Sequence, residues 1–370
     1  MIAGGAVRDL LMGGQPKDFD IATNAHPEEV LACFKRTRKV GIAFGVVLVS
    51  EFEDTVEVAT FRTDLEYLDG RRPEGVVFTD AKNDAQRRDF TVNGLFLDLE
   101  SFEIIDYVGG LVDLQAGILR AIGDPEKRFA EDYLRMLRAV RFAVRLDFEI
   151  EKETSRVISE KVGHLTEIAP DRIHDELSKA FATGRSDLGL TLLRDFGMLD
   201  VLFPDAPAPW YLPVDQEYQE GGDYCSVMAL LLRDRGRSAL DKILKELRST
   251  NEEKKIIQSL VRALGAFPTY SELPTSSQKR LLRDHDQRHL LYLIQRCPEL
   301  ETHHPVIQEN LMNWKEEDLF PRLLPTGQNL LERGFSPGPH IGKLLKEIED
   351  LLLEGKIRNS EEIEARLMNS

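Results

Sequence analysis

Two carboxylates one residue apart, in Lys17-Asp18-Phe19-Asp20-Ile21, follow closely on Gly4-Gly5-Ala6-Val7-Arg8-Asp9. In an extended segment, residues two apart project from the same face, so Asp18 and Asp20 can meet one cation. Hard oxygen ligands suit Mg²⁺, which takes one or two carboxylates and completes its shell with phosphate oxygens and water. A glycine pair opening a helix lets backbone N–H groups approach a triphosphate, and Arg8, one turn in, supplies a cation. An Asp-x-Asp pair alone is more often a turn or a solvated surface. The upstream Gly-Gly is what favours a metal-and-phosphate site, and such a site serves nucleotidyl transfer, where metal stabilises the attacking and leaving oxygens. Glu57, in the middle of Val56-Glu57-Val58, is the third carboxylate in view, as metal ligand, general base or an exposed sheet residue.

A second segment, Arg87-Arg88-Asp89-Phe90-Thr91-Val92-Asn93-Gly94, offers Arg88 to triphosphate oxygens and Asp89 and Asn93 to ribose hydroxyls or to neighbouring loops. A third, Glu131 to Phe142, reads as one helix with Asp132, Arg135, Arg138 and Arg141 three apart in a polar stripe, and Leu134, Leu137, Val140 and Phe142 packing opposite. A salt-bridged surface helix would look the same. Base recognition explains more of it. Cytosine and adenine each present an exocyclic amine beside a ring-nitrogen acceptor, matching a carboxylate (Asp132) and a guanidinium (Arg135). Uracil and guanine reverse that pattern, and each buried group left unpaired costs roughly 1–3 kcal/mol.

The elements that must position these groups change character along the chain. Gly45–Ser50 and Thr55–Phe61 predict a hairpin, and Gly94–Leu99 with Glu103–Asp106 predict a second pair of strands. From about Pro125 helical periodicity takes over, as in Ile341, Leu344, Leu345, Ile348, Leu351 and Leu352 after Pro337-Gly338-Pro339. Pro204–Pro213 and Pro321–Pro325 predict breaks between helical subdomains. At 370 residues the chain is expected to hold several subdomains. A formal charge of −16 excludes a general nucleic-acid binder but not a specific one, since basic clusters occur at Lys35–Lys39, Arg71-Arg72, Arg87-Arg88 and Arg135–Arg145. Cys33, Cys225 and Cys297 fit neither a metal pair nor a disulfide framework, which points to a reducing cytoplasm. No apolar run reaches the roughly 18 residues of a membrane span, no signal peptide precedes the Gly-Gly, and nothing calls for an obligatory protein partner. Asp284-His285-Asp286 has no upstream histidine partner and reads as a polar helix or loop, not a phosphohydrolase centre.

Together the GGAVRD…PKDFDIAT, RRDFTVNG and EDYLRMLRAVRFA segments resemble the class II tRNA nucleotidyltransferases, the bacterial and eukaryotic CCA-adding enzymes, within the DNA polymerase β-like superfamily. Pro170–Leu177 is similar to the segment closing that family's neck, and Leu324-Pro325-Thr326-Gly327 with the helix from Ile341 is similar to many bacterial tails. The resemblance is dense over residues 1–185. It implies an α+β fold, a polymerase β-like head with a mixed sheet (1–120) followed by all-α neck (121–185), body (186–300) and tail (301–370). It further implies Mg²⁺ on Asp18 and Asp20, nucleotide contacts from Gly5, Arg8 and Arg88, and base reading by Asp132 and Arg135 with Arg138 and Arg141 alongside. CTP, ATP and the tRNA acceptor end would be the substrates. Arg62-Thr63-Asp64 through Arg71-Arg72-Pro73 is similar to the family's flexible loop, which disfavours a CC-only enzyme. Enzymes adding only A, poly(A) polymerases, and non-catalytic RNA-binding relatives are the alternatives. Family members usually carry a helix and a full strand before the Gly-Gly, whereas only Met1-Ile2-Ala3 precede it here, so either a misassigned start or a head that has lost part of a strand is expected.

Overall fold

A computed structural model describes residues 1–39, 41–51, 54–64, 75–204, 222–297, 300 and 302–368. The loop from 65 to 74, with Arg71-Arg72, and nearly all of Pro204–Pro213 lie outside the described residues. The chain forms two compact units, Met1–Asp205 and Ala206–Ser370.

The first unit begins with β1 (Ile2–Ala3), α1 (Gly5–Leu11), β2 (Asp20–Thr23), α2 (Pro27–Cys33), β3 (Thr37–Arg38), β4 (Val46–Glu51) and β5 (Asp54–Thr60). It continues through β6 (Arg62–Asp64), β7 (Val76–Phe78), α3 (Ala81–Gln86), β8 (Leu95–Leu97), β9 (Ile104–Asp106), α4 (Gly110–Ala116) and β10 (Ile118–Leu119). The seven-stranded sheet runs β3-β4-β5-β2-β1-β8-β9. It is mixed, because β2 and β5 are parallel while every other pair in it is antiparallel. Both expected hairpins are present, as β4–β5 and β8–β9. Strand β1 sits between β2 and β8, pairing Ile2 with Ile21 and with Leu97. Its two residues belong to separate apolar clusters, Ile2 with Val7 and Leu95, and Ala3 with Phe61 and Phe96.

Helices follow: α5 (Pro125–Glu131), α6 (Leu134–Leu146), then β11 (Glu149–Ile150), α7 (Lys152–Lys161) and α8 (Pro170–Phe181). The single helix expected across 131–142 is two helices. Asp132 is extended (φ −157°, ψ 103°) and ends α5, while α6 starts at Leu134, whose N–H donates to the Asp132 carboxylate at 3.1 Å. An aspartate accepting from the first turn is what starts a helix, so the chain bends where Asp132 acts as a cap. Helix α6 packs on α8 and is buried on nearly all sides, Met136, Ala139 and Val144 fully.

The described part of the second unit is helical from Tyr224–Leu232 to Ser360–Met368, with a C-terminal cluster of Leu330, Ile348, Ile357 and Leu367 around the helix Pro339–Leu353. Asp284-His285-Asp286 is a turn between two helices, with Asp286 capping the second and His285 bonded to Ser259 and the Leu281 carbonyl. Of the cysteines, Cys33 is exposed and Cys225 and Cys297 are buried, all three free. No described helix is long and apolar enough to cross a membrane.

Candidate active site

The three motifs meet at one cleft of about 520 Å³ in the first unit. Gly5 and Arg8 come from α1, Asp20 from the start of β2, Glu57 from β5, Arg88 from the turn after α3, and Asp132, Arg135, Arg138 and Arg141 from the α5–α6 region. Sheet register brings the carboxylates together, because Asp20 is the direct parallel partner of Glu57. Asp18 precedes β2 instead of lying in it, so the expected strand face holds only Asp20; Asp18 lines an adjoining cleft that Asp20 also borders. Withdrawal from water raises the Asp20 carboxyl above its ordinary value, against Arg88 and with repulsion from Asp18. Glu57 is raised the same way, by withdrawal from water first and by Asp20 next.

The arginines are held in a relay of buried pairs. Arg8 donates to Asn93 at 2.5 Å, Asn93 donates to Asp89 at 3.0 Å, and Arg138 bridges Asp89 at 2.7 Å and Glu176 at 3.5 Å. Glu176, only 5% exposed, also holds Arg141 at 3.0 Å. At the other end Asp9 takes Arg8 at 2.6 Å and Arg145 at 2.7 Å. Of the two uses expected for Asp89 and Asn93, neighbouring groups are therefore the one observed. Although burial opposes ionisation, Arg138, Asn93 and the Phe90 N–H hold the Asp89 carboxyl far below its usual range. Arg88 is fixed by Asp84 at 3.0 Å and lies 5.0 Å over the Phe96 ring.

Two groups depart from the expected polar stripe. Asp132 stands off the helix, and Phe142, expected on the apolar side, lines the cleft beneath Arg8, Arg138 and Arg141 at 4.4–5.3 Å from its ring. A ring face stabilises cations stacked on it, so three like charges crowd here at reduced cost.

Sequence reasoning missed the partners. Arg172 grips both oxygens of Asp132, Glu131 holds Arg135 at 2.5 Å, Asp84 holds Arg88, and Glu176 holds Arg138 and Arg141. Arg172 and Glu176 sit four apart on α8, one turn of the segment Pro170–Leu177, and that spacing was the available signal.

Against this pairing three acids stand out. The carboxylates of Asp18, Asp20 and Glu57 have no hydrogen bond or ion pair among the described residues. No group of three or more His, Cys, Asp or Glu side chains among the described residues is placed to hold a metal ion. One or two of these carboxylates could hold a hard cation only with phosphate and water completing its shell, the coordination Mg²⁺ takes.

Residues 1–120 match the family model of the poly A polymerase head domain, 147–208 that of a probable RNA- and SrmB-binding site of polymerase A, and 226–365 a putative domain 2 of tRNA nucleotidyltransferase. The chain is similar to the CCA-adding enzyme of Levilactobacillus brevis, 32% identical over 368 residues, covering 96% of this chain and 90% of that protein. It is also similar to poly(A) polymerase I of Salmonella typhi, 37% identical over 258 residues but covering 67% of this chain and 53% of that protein. In fold it is similar to the Bacillus stearothermophilus CCA-adding enzyme solved in complex with CTP, with a TM-score of 0.70, 28% identity, and coverage of 100% of this chain and 92% of that one. Fold and cleft together are those of a polymerase β-like nucleotidyltransferase. Within that class the chain belongs to the CCA-adding tRNA nucleotidyltransferase family.

Proposed function

We propose that this chain builds the CCA end of tRNA from CTP and ATP, with Mg²⁺ on Asp18 and Asp20. The observation that carries the reading is the contrast in pairing: the acids facing the arginines are ion-paired, whereas the carboxylates of Asp18, Asp20 and Glu57 are left for a cation. Bound there, the metal would polarise the α-phosphate and stabilise the charge on the leaving oxygen. The acceptor 3′-oxygen bonds to the α-phosphorus as the α–β bridging bond breaks, its electron pair departing on pyrophosphate. Glu57, with its raised proton affinity and its place beside Asp20, takes the hydroxyl proton in this reading. Gly5, Arg8 and Arg88 bind the nucleotide.

Base choice follows from counting lone pairs. A carboxylate offers about four acceptor sites. The Leu134 N–H and Arg172 Nη1 take Asp132 Oδ1, and Arg172 Nη2 takes Oδ2, leaving one site on Oδ2 for one exocyclic amine. Arg135 spends both Nη1 protons on Glu131 and the Arg128 carbonyl and one Nη2 proton on the Arg87 carbonyl, leaving Nε–H and one Nη2–H for a ring nitrogen. Cytosine and adenine satisfy both; uracil and guanine satisfy neither. In this reading residues 1–120 are the head, 121–185 the neck, 186–300 the body and 301–370 the tail, the last two gripping the acceptor end, and the work is cytoplasmic.

Coverage of 90% of the CCA-adding relative, against 53% of the poly(A) polymerase, favours tRNA ends over poly(A) tails. The test is to offer purified protein tRNA lacking one, two or three terminal residues with CTP, ATP and Mg²⁺. Extension of all three to CCA is expected. Extension only of the tRNA ending in CC would mean A addition alone, long ATP-only tails would mean poly(A) synthesis, and no extension would sink the enzymatic reading.

A further inference from the structure

Asp84 lies in α3, only 2% exposed, and its carboxylate serves two guanidiniums with separate oxygens. Oδ1 takes Arg87 Nη2 at 2.8 Å and Nε at 2.9 Å, while Oδ2 takes Arg88 Nη2 at 3.0 Å and Nε at 3.2 Å. Residues three and four apart share one helix face, so both arginines fold back onto the end of the helix that carries them. Although burial opposes ionisation, the two positive charges hold the Asp84 carboxyl below its ordinary range.

The two arginines serve different groups in the cleft. Arg88 spends its Nε–H and one Nη2–H on Asp84 and one Nη1–H on the Asn93 carbonyl at 3.2 Å. That leaves one proton on each Nη for triphosphate oxygens. Arg87 reaches the base-reading side through its main chain. The last carbonyls of a helix have no partner within it, and those of Gln86 and Arg87 are taken by arginines that follow in the chain. The Arg87 carbonyl accepts from Arg128 Nη1 at 2.9 Å and from Arg135 Nη2 at 3.4 Å, and Arg128 Nη2 donates to the Gln86 carbonyl. The Arg128 carbonyl in turn accepts from Arg135 Nη1 at 2.8 Å. Arg135 is thus seated on a turn that the Asp84–Arg87 pair ties down.

Resting on the nucleotidyl-transfer reading, we propose that Asp84 is a positioning residue for both ends of the nucleotide, its Oδ2 aiming Arg88 at the triphosphate and its Oδ1 fixing the turn whose Arg87 carbonyl seats Arg135. Nucleotide affinity and base choice then share one buried charge, and loosening it weakens both at once.

The test compares the full chain with Asp84→Asn, Arg87→Met, Arg88→Ala and Asp113→Asn, offering CTP or UTP with tRNA that lacks all three terminal residues. Asp84→Asn should raise KM for CTP roughly tenfold and lower the CTP-over-UTP ratio of kcat/KM roughly tenfold, each about the worth of one charged contact. Arg88→Ala, which loses only the phosphate contact, should raise both KM values and keep the ratio. Arg87→Met, which keeps the carbonyl but not the clamp, should lower the ratio with KM for CTP nearly unchanged. Asp113 is a buried acid of the same unit, paired with Arg120 and Thr91 and absent from the cleft lining. Its asparagine variant should lower the melting temperature and leave both kinetic readouts unchanged. A ratio preserved in Asp84→Asn would overturn the link to base choice, and an unchanged KM the link to phosphate. An equal fall of the ratio in Asp113→Asn would overturn the proposal as a general softening of the fold. Should Asp84→Asn not fold, the ratio in Arg87→Met decides. Should the unmodified chain extend no tRNA, the nucleotidyl-transfer reading fails, while calorimetric titration of CTP and UTP into each variant still decides whether Asp84 governs affinity and base choice.

Discussion

Arg172 holds Asp132 in a two-pronged grip, its Nη1 at 3.1 Å from one carboxylate oxygen and its Nη2 at 2.7 Å from the other. The fork fixes the plane of the carboxylate and aims its last open lone pair. Arg172→Ala should therefore loosen base choice more than it slows chemistry. Discrimination of CTP over UTP is expected to fall at least tenfold, about the worth of one charged hydrogen bond, measured as the ratio of kcat/KM values. Arg172→Lys should rescue little, because a point charge cannot reproduce the fork. Unchanged discrimination in both variants would show that Asp132 orients itself.

Removing either unpaired aspartate tests the metal assignment. Asp18→Ala and Asp20→Ala should each lower kcat on the order of a thousandfold or more, while tRNA affinity in a filter-binding assay stays put. Activity near that of the unaltered protein would remove the metal from these positions.

Asp89 gives a prediction about acid. Its carboxyl titrates far below the usual value when folded, chiefly because Arg138 and Asn93 outweigh burial. A depressed carboxyl lends stability that is complete above the unfolded pKa, about 3.9, and fades as pH falls toward the folded value. Melting temperature should thus drop steeply below about pH 4, and Asp89→Asn should flatten that drop. At neutral pH the same variant should cost about 1–3 kcal/mol in denaturant titrations, since Arg138 loses one of its two carboxylate partners and keeps Glu176.

Gly4 has a backbone only glycine adopts comfortably, φ +68° with ψ −126°, and a Cβ there would stand 2.6 Å from Arg88 Nη1. Gly4→Ala should cost about 1–3 kcal/mol in strain. Displacing Arg88 should reduce CTP incorporation by about a hundredfold, the toll of a misplaced contact of roughly 1 Å. Intact turnover with normal stability would mean that neither the strain nor Arg88 matters.

Much of the head was legible because glycine pairs, alternating acids and β-branched runs act locally. The helix opening at Gly4-Gly5, the strand at Asp20 and the two hairpins needed only neighbours in sequence to be recognised, whereas Asp18, expected on the same strand face, precedes the strand. Glu57 was ambiguous until register set it against Asp20, since a parallel partner lies far along the chain. The break at Asp132 escaped notice because three-residue spacing of Asp132, Arg135, Arg138 and Arg141 fits a helix equally well, and only the carboxylate bond to the Leu134 N–H reveals the cap. Arg172, Glu176 and Asp84 were missed as partners for other reasons. Arg172 and Glu176 pair with residues far along the chain, so their four-residue spacing on one helix is the only trace they leave, whereas Asp84, four residues before Arg88, was a local pair left unread.

The relay from Asp9 through Arg8, Asn93 and Asp89 to Arg138, Glu176 and Arg141 draws on four separate stretches of chain. Neighbouring members are each other's counter-charge or hydrogen-bond partner, so none can be exchanged alone without loss to its neighbour. Among relatives, a lineage that alters Arg138 should be found to have altered Asp89 or Glu176 as well, and the phosphate-handling and base-reading ends of the cleft should diverge together or not at all.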